Sequence, residues 1–304
     1  MPLRHDIRRG ALLMVGSHAL FTGLSALVKL LGDSIPVVQL MFFRSALALP
    51  VVALILARGG GLRAGLRTRR LPGHVARACT GTMAQGCSFY ALTVLPLAVQ
   101  TALGYTTPLF VTVLAILFLG ERVGVHRWSA VAAGFCGVLV IAAGQGALGG
   151  VLGGAAPVLG ILAAVAQGLF SAATTLLVRQ LSATESSATI TMYQSLLMTL
   201  FTLALLPFFW VTPGWGQLAL LVTIGLVGGV AQWMLTEAWA SAQVSAVAPY
   251  SYSALVWAIA LGFVVWGEVP GLAMLAGSAL IVGAGLYILH RELLRRRSRG
   301  ETTP

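Results

Sequence analysis

The sequence predicts an all-α integral membrane protein whose ten transmembrane helices form two inverted-topology five-helix repeats. Composition, the lengths of uncharged runs and an internal repeat predict this fold class. Of the 304 residues, 58% are hydrophobic and 9% are charged, whereas a soluble domain carries roughly a quarter charged residues. Uncharged runs extend over residues 10–28, 78–120, 128–178, 186–236 and 238–267. Since about 20 apolar residues cross a bilayer as a helix, the long runs hold two spans each.

Glycine, proline and charged residues separate the spans. In chain order, the predicted spans cover residues 9–31, 36–57, 75–94, 97–119, 127–145, 156–179, 187–209, 216–239, 244–266 and 270–289. Of the 19 basic residues, all but Lys29 and Arg44 lie in the two tails, in the even-numbered connections or at their edges. Because basic loops stay on the cytoplasmic side, both termini are predicted to be cytoplasmic. The net charge of +11 then reflects topology and anionic lipid, so membrane lipid is an expected partner and nucleic acid is not.

The second half of the chain repeats the first at an offset of 147 positions in its central part. The identical pairs are Gly81/Gly228, Ala84/Ala231, Gln85/Gln232, Ala91/Ala238, Tyr105/Tyr252, Gly120/Gly267, Glu121/Glu268 and Gly124/Gly271. Further upstream, Lys29, Phe43 and Ser45 correspond to Arg179, Tyr193 and Ser195 at an offset of 150. We therefore expect two repeats, residues 1–150 (spans 1–5) and residues 151–304 (spans 6–10 with a basic cytoplasmic tail). Five spans per repeat invert the second repeat, an architecture typical of secondary transporters with a midplane site between the halves.

Polar and aromatic side chains within the spans are the candidate substrate-binding residues, because polar groups at membrane depth usually face the protein interior. They are His18 in the first span, Gln85 and Tyr90 in the third, Tyr105 in the fourth, Gln167 in the sixth, Gln232 and Trp233 in the eighth, and Tyr252 and Trp257 in the ninth. His18 corresponds to Gln167, and Gln85 to Gln232, so two related polar pairs are expected at similar depth. Amide, imidazole and phenol groups suit a zwitterion, and aromatic faces suit an apolar group or a cation. The alternative is that these residues hydrogen-bond one helix to another.

Two prolines are candidate gating residues. Pro108 and Pro249 lie inside the fourth and ninth spans, where a proline removes a helix hydrogen bond and kinks the helix. Such a break would frame the site or act as a gate, although packed helices also tolerate kinks. Arg44 has three interpretations: it pairs with Asp33, extends toward the membrane surface, or binds a carboxylate. For Glu121 and Glu268 we expect a helix-start or ion-pair role.

The sequence contains no signature of a bound cofactor or a metal. It has no G-x-x-x-x-G-K-[ST] phosphate-binding loop, which argues against an ATP-driven pump. Histidine, cysteine and carboxylate residues nowhere show metal-ligand spacing. We therefore expect no metal and no cofactor.

The pattern resembles the ten-helix, EamA-type branch of the drug/metabolite transporter superfamily. The residues that carry the resemblance are Gly120-Glu121 and Gly267-Glu268 at the ends of spans four and nine, the stretch 248–257 (APYSYSALVW), Arg44 in Phe42-Phe43-Arg44, and the glycine-spaced fifth span around Gly134 and Gly137. The resemblance covers nearly the whole chain. Within the family the chain is similar to YddG-type exporters of amino acids. Glu237 departs from the pattern, because relatives often have a basic residue there.

The predicted function is therefore secondary export of small metabolites, most of all amino acids, by alternating access in a bacterial-type inner membrane. The expected partner is a small-molecule substrate, and oligomeric state is left open, a monomer included. One alternative is export of another small solute, such as a nucleobase or an amphipathic drug. Another is an intramembrane lipid-modifying enzyme, which would need clustered His–Asp or paired carboxylates that this sequence lacks. No catalytic residues are predicted.

Overall fold

The computed structural model describes residues 6–59, 68, 70–119, 125–146, 155–241 and 247–298. Within these ranges all regular structure is helical and no strand occurs. The helices are α1 (Ile7–Leu31), α2 (Val37–Gly59), α3 (Leu71–Val94), α4 (Leu97–Gly104), α5 (Thr107–Leu119), α6 (Val125–Gly144), α7 (Ala155–Leu181), α8 (Ser187–Phe209), α9 (Trp215–Ser241), α10 (Ser253–Trp266) and α11 (Leu272–Ser298), with a 3₁₀ helix at Ala248–Tyr252 before α10.

These helices make a multi-pass membrane fold. Eight helical stretches of the described chain are long and apolar enough to cross a membrane, and Trp128–Gly144 is a shorter apolar helix. The 24-residue helix α3 is long enough as well, but it carries His74, Arg77 and Gln85. If α4 with α5, and the 3₁₀ helix with α10, are each counted as one crossing, the described elements correspond to the ten predicted spans. The prediction of an all-helical membrane protein is confirmed.

The fourth and ninth spans are not continuous α-helices. The fourth is interrupted at Tyr105 and Thr106, between α4 and α5, and the ninth begins as the 3₁₀ helix. Pro108 is the second residue of α5, and Pro249 is the second residue of the 3₁₀ helix. The prediction that each proline removes a hydrogen bond inside a helix is therefore wrong, because the first turn of a helix has no such bond to lose.

The C-terminal helix is longer than the predicted tenth span. The sequence predicts an end near residue 289, whereas α11 continues to Ser298. The extension includes Arg291, Glu292, Leu293, Leu294 and Arg295–Arg297, which are strong helix formers. Hydropathy marks the length of chain that fits the bilayer, so it does not detect a helix that continues beyond it.

The strongest helix pairings join the first half of the chain to the second. Helix α3 packs on α7, α1 on α9, α6 on α11, and α2 on both α8 and α9. Under the sequence repeat, the α3–α7 pair corresponds to the α9–α1 pair. The two halves are thus interleaved, and the space between them is bounded by helices of both.

The two membrane faces differ in packing. We call the side at which α1 begins and α11 ends the tail face, and the opposite side, where Lys29, Leu95 and Glu268 meet, the latch face. The largest hydrophobic cluster of the described chain includes residues from 24–31 of α1, residues from 89–95 at the end of α3, most of α4, and Leu221 with Ile224 of α9. These segments lie toward the latch face. Toward the tail face the described residues form smaller clusters, such as Met14 with Ala238 and Val247.

Candidate functional site

A cavity of about 510 Å³ lies between the two halves of the chain. Helices α1, α2, α3, α7 and α9 contribute its walls. The side chains that give it chemical character are the amides of Gln85, Gln167 and Gln232, the guanidinium of Arg44, and the rings of Phe21 and Phe89. Hydroxyl groups from Ser25, Ser88, Ser171, Thr174 and Thr175 complete the polar lining. A mostly pre-formed pocket with aromatic walls and a few polar groups is the usual form of a small-molecule site.

Three of the predicted substrate-binding residues line this cavity. Gln85, Gln167 and Gln232 lie near the middle of α3, α7 and α9, because the sequence repeat places an amide at similar depth in each half. The Nε2 atom of Gln85 is buried and has no hydrogen-bond partner among the described residues. A buried amide donor is costly to leave unpaired.

The other predicted residues lie outside the cavity lining. The His18 ring centroid is 6.5 Å from that of Phe21, which does line it. The rings of Tyr105 and Tyr252 lie 4.9 Å apart, and the Tyr105 hydroxyl donates to the carbonyl of Ser251 at 3.2 Å. These two tyrosines therefore connect the two interrupted spans. The remaining three, Tyr90, Trp233 and Trp257, are more than one third exposed on the protein surface.

Gln100 supports the cavity and was missed by the sequence analysis. It belongs to α4 and is 5% exposed. Its Nε2 donates to the Ser88 hydroxyl at 3.0 Å and to the Gln167 side-chain carbonyl at 2.9 Å. This bridge fixes the orientation of the Gln167 amide, because a residue of α4 holds its acceptor oxygen. A single glutamine within the apolar stretch Leu97–Gly104 was the only available signal.

The latch face is closed by a polar cluster at the ends of three spans. The Lys29 ammonium of α1 pairs with the Glu268 carboxylate and donates to the Leu95 carbonyl at 2.9 Å. Glu268 also accepts the backbone N–H of Leu97 at 3.0 Å, which caps the start of α4. We call Lys29, Leu95, Leu97 and Glu268 the latch. The predicted ion-pair role of Glu268 is confirmed, whereas Glu121 lies outside the described residues.

Glu237 lies away from the cavity. Its carboxylate is 3.4 Å from the Arg9 guanidinium, near the tail-face end of α9. In the same region the Asp6 N–H donates to the Ser241 carbonyl at 3.1 Å. Glu237 therefore joins the start of α1 to the end of α9.

A second recess of about 750 Å³ lies between α5 and α7 toward the tail face. Its walls are mainly leucine and phenylalanine, including Leu114, Phe118 and Leu169, with polar groups at Thr80, Arg179 and Gln180. It is larger than the first cavity, but only one of these three polar residues, Thr80, comes from the first half of the chain. Among the described residues no group of three or more His, Cys, Asp or Glu side chains could hold a metal ion.

Comparisons with known proteins agree with this architecture. The model of the EamA-like transporter family matches residues 8–143 and 158–290. The pseudopaline exporter CntI of Pseudomonas aeruginosa is 30% identical over 286 residues, covering 91% of this chain and 95% of that protein. A riboflavin transporter of Vibrio cholerae is 30% identical over 305 residues, covering 98% of each chain.

A more distant relative and a solved structure are also similar to this chain. An S-adenosylmethionine uptake transporter of Rickettsia felis is 26% identical over 227 residues, covering 75% of this chain and 74% of that protein. A solved crystal structure covers 93% of this chain and 98% of its own, with a TM-score of 0.63 and 22% identity, and thus shares the fold. The chain belongs to the EamA-like transporter family and is a multi-pass transporter of small molecules in a bacterial inner membrane, not an enzyme.

Proposed function

We propose that this chain is a secondary exporter of small metabolites, foremost amino acids, that works by alternating access around the cavity between its halves. The proposed repeats are residues 1–150 and 151–304, and both termini lie in the cytoplasm. The observation that carries the proposal is the 510 Å³ cavity, whose amide groups come from α3 in the first half and from α7 and α9 in the second. A site shared by two inverted halves becomes accessible from each side in turn when the halves rock.

The chemistry of the lining supports an amino acid as the solute. A zwitterion carries a carboxylate and an ammonium group, and the cavity offers donors at Gln85 and Arg44 together with acceptors at its serine and threonine hydroxyls. Phe21 and Phe89 supply apolar surface for a side chain. Apart from Arg44, the polar lining residues are neutral amides and hydroxyls, which can hydrogen-bond both charges of a zwitterion without another fixed charge inside the membrane.

The packing of the two faces supports loading from the cytoplasm. The latch and the large hydrophobic cluster close the latch face, which the distribution of basic residues places outside the cell. The described residues toward the tail face pack in smaller clusters. This difference in packing supports the proposal that the structure is a state open to a cytoplasmic substrate.

The test is uptake of radiolabelled amino acids by sealed proteoliposomes, with and without a pH gradient. We expect saturable uptake that falls roughly tenfold in Gln85→Ala and in Gln232→Ala, because each removes a hydrogen bond that the bound solute would form. Gln217→Ala is the matched control, since Gln217 lies at the latch face and donates to the Ser34 hydroxyl at 3.1 Å. If correctly folded protein takes up no amino acid, the amino-acid assignment is wrong.

Riboflavin is a second candidate substrate, favoured by the full-length match to the Vibrio cholerae riboflavin transporter. The aromatic rings of Phe21 and Phe89 would stack with a planar ring system. The same vesicles answer this question when labelled riboflavin replaces the amino acids. Riboflavin uptake without amino-acid uptake would replace the first candidate by the second.

A further inference from the structure

The Arg44 side chain extends from α2 toward the cavity, inside the membrane. It lies seven residues after the start of α2 at the latch face, a depth of roughly 10 Å at the helical rise. A methyl group placed on Gly228, in the middle of α9, would lie 3.6 Å from the Arg44 Cγ and 3.8 Å from its Nε. The side chain therefore lies against the middle of α9, and Arg44 is one of the residues that line the cavity.

This position decides among the three interpretations of Arg44. Asp33 is exposed in the turn after α1, and no described acidic residue forms an ion pair with Arg44. A side chain that extended toward the membrane surface would follow α2 to the latch face, and would not lie against the middle of α9. The remaining interpretation is that the guanidinium faces a ligand.

An unpaired guanidinium at this depth is costly, because charged groups inside a membrane usually pair with protein groups or mark the path of a solute or ion. Arg44 is the one charged residue among those described in the cavity lining. Gln85 is also a lining residue, and its Nε2 is buried with no described hydrogen-bond partner. The lining residues thus carry one positive charge and one unsatisfied donor, which together suit an anion.

The position that corresponds to Arg44 in the second half of the chain has hydrogen-bond partners within the protein. Gln194 in α8 corresponds to Arg44 at the offset of 150, and its side chain meets Gly81 as Arg44 meets Gly228. There the side-chain carbonyl of Gln194 accepts from Arg77 at 2.7 Å, and Arg77 also donates to the Ile190 carbonyl at 3.3 Å. Arg77 is thus held by described protein groups, whereas Arg44 is not.

We propose that Arg44 is the carboxylate-binding residue of the transport cavity, with Gln85 as a second donor, so that transported molecules carry a carboxylate. A planar guanidinium binds a carboxylate through two parallel hydrogen bonds. A single positive charge neutralises a carboxylate and would leave a phosphate dianion partly uncompensated. This inference rests on the proposed function, since it names the substrate class of the same cavity.

The test compares carboxylates with their amides on the full-length protein in lipid nanodiscs, by isothermal titration calorimetry. The probes are L-phenylalanine against L-phenylalaninamide, and phenylacetate against phenylacetamide. We expect the carboxylate of at least one pair to bind roughly tenfold tighter than its amide, since a hydrogen bond to a charged group contributes that much to affinity. Arg44→Gln should abolish the difference, and Arg44→Lys, which keeps the charge, should retain part of it.

Arg77→Gln is the matched control and should leave the preference for the carboxylate unchanged. A monodisperse protein with an unchanged Tm shows that each variant is folded. If Arg44→Gln does not fold, the comparison is made with Arg44→Lys alone. Equal binding of amides and carboxylates, retention of the preference in Arg44→Gln, or binding of no probe would each overturn the proposal. Arg44-dependent binding of phenylacetate without amino-acid transport would support Arg44 and refute the amino-acid assignment. Amino-acid transport with no dependence on Arg44 would support the amino-acid assignment and refute the role of Arg44.

Discussion

At the scale of single residues, Gln100 is the side chain that supports the polar lining of the cavity. Replacing it by alanine removes the donor shared by Ser88 and Gln167. We expect a loss of about 0.6–2 kcal/mol in unfolding free energy, as for other hydrogen bonds between membrane helices. Substrate affinity should fall as well, because Gln167 loses its fixed orientation. Denaturation in mixed micelles measures the first effect. The control is Gln180→Ala, whose side chain is exposed, and equal stability of the two variants would contradict this role.

For the other residues of the site, the depth of a side chain in the membrane was easier to predict than the side of the helix on which it lies. The sequence identified Gln85, Gln167 and Gln232 because a glutamine inside an apolar span needs a polar environment. Trp233 follows Gln232 directly, so it points about 100° away around the helix, and it is 41% exposed. Helix α9 is apolar on all sides, and its sequence alone does not show which side faces the cavity. The roles of the glutamines, the tyrosines, the tryptophans and His18 in substrate binding stay predictions.

At the scale of helices, the sequence predicted how many spans there are and missed where two of them break. Pro108 and Pro249 indicated irregular backbone in the fourth and ninth spans. The actual interruptions lie just before them, at Tyr105–Thr106 and at the 3₁₀ helix. A proline fits the first turn of a helix as readily as it kinks the middle, so its presence alone does not locate a break. The contact between Tyr105 and Tyr252 depends on how the two halves pack, which no local pattern records.

The α6–α11 pair gives a prediction at this scale. A Cβ on Gly137 would lie 2.6 Å from the Gly277 carbonyl oxygen, and a Cβ on Gly277 would lie 2.6 Å from the Gly137 carbonyl oxygen. Because backbone atoms cannot move aside as a flexible side chain can, Gly137→Ala and Gly277→Ala should each destabilise the protein by about 1–3 kcal/mol.

Gly23→Ala in α1 is the control for this pair, since a Cβ there meets nothing within 4 Å. It should leave the unfolding midpoint unchanged or slightly raised, because alanine favours a helix more than glycine does. Thermal unfolding of the three variants in detergent gives the comparison. If Gly137→Ala were as stable as Gly23→Ala, the close approach of α6 and α11 would be incorrect.

At the scale of the whole molecule, the sequence repeat indicated two related halves, but it could not indicate which face is closed. Lys29 and Glu268 of the latch correspond to Arg179 and Glu121 in the repeat. Glu121 lies outside the described residues, so the structure characterises one of the two related ends. Similar sequences at both ends are compatible with either face being closed, and only packing in three dimensions distinguishes them. We expect the Glu121 end to close when the latch opens.

The most direct test of alternating access is the sidedness of cavity labelling. Ser171→Cys places a thiol in the cavity lining, after Cys79, Cys87 and Cys136 are replaced by serine. An impermeant maleimide is applied to right-side-out and inside-out vesicles, with Ser34→Cys as the latch-face control. We predict labelling of Ser171→Cys from the tail face and protection from the latch face. Adding Glu268→Gln weakens the latch. If it destabilises the closed latch by about 1 kcal/mol, labelling from the latch face should rise roughly fivefold. Equal labelling from both faces, or no effect of Glu268→Gln, would contradict the account.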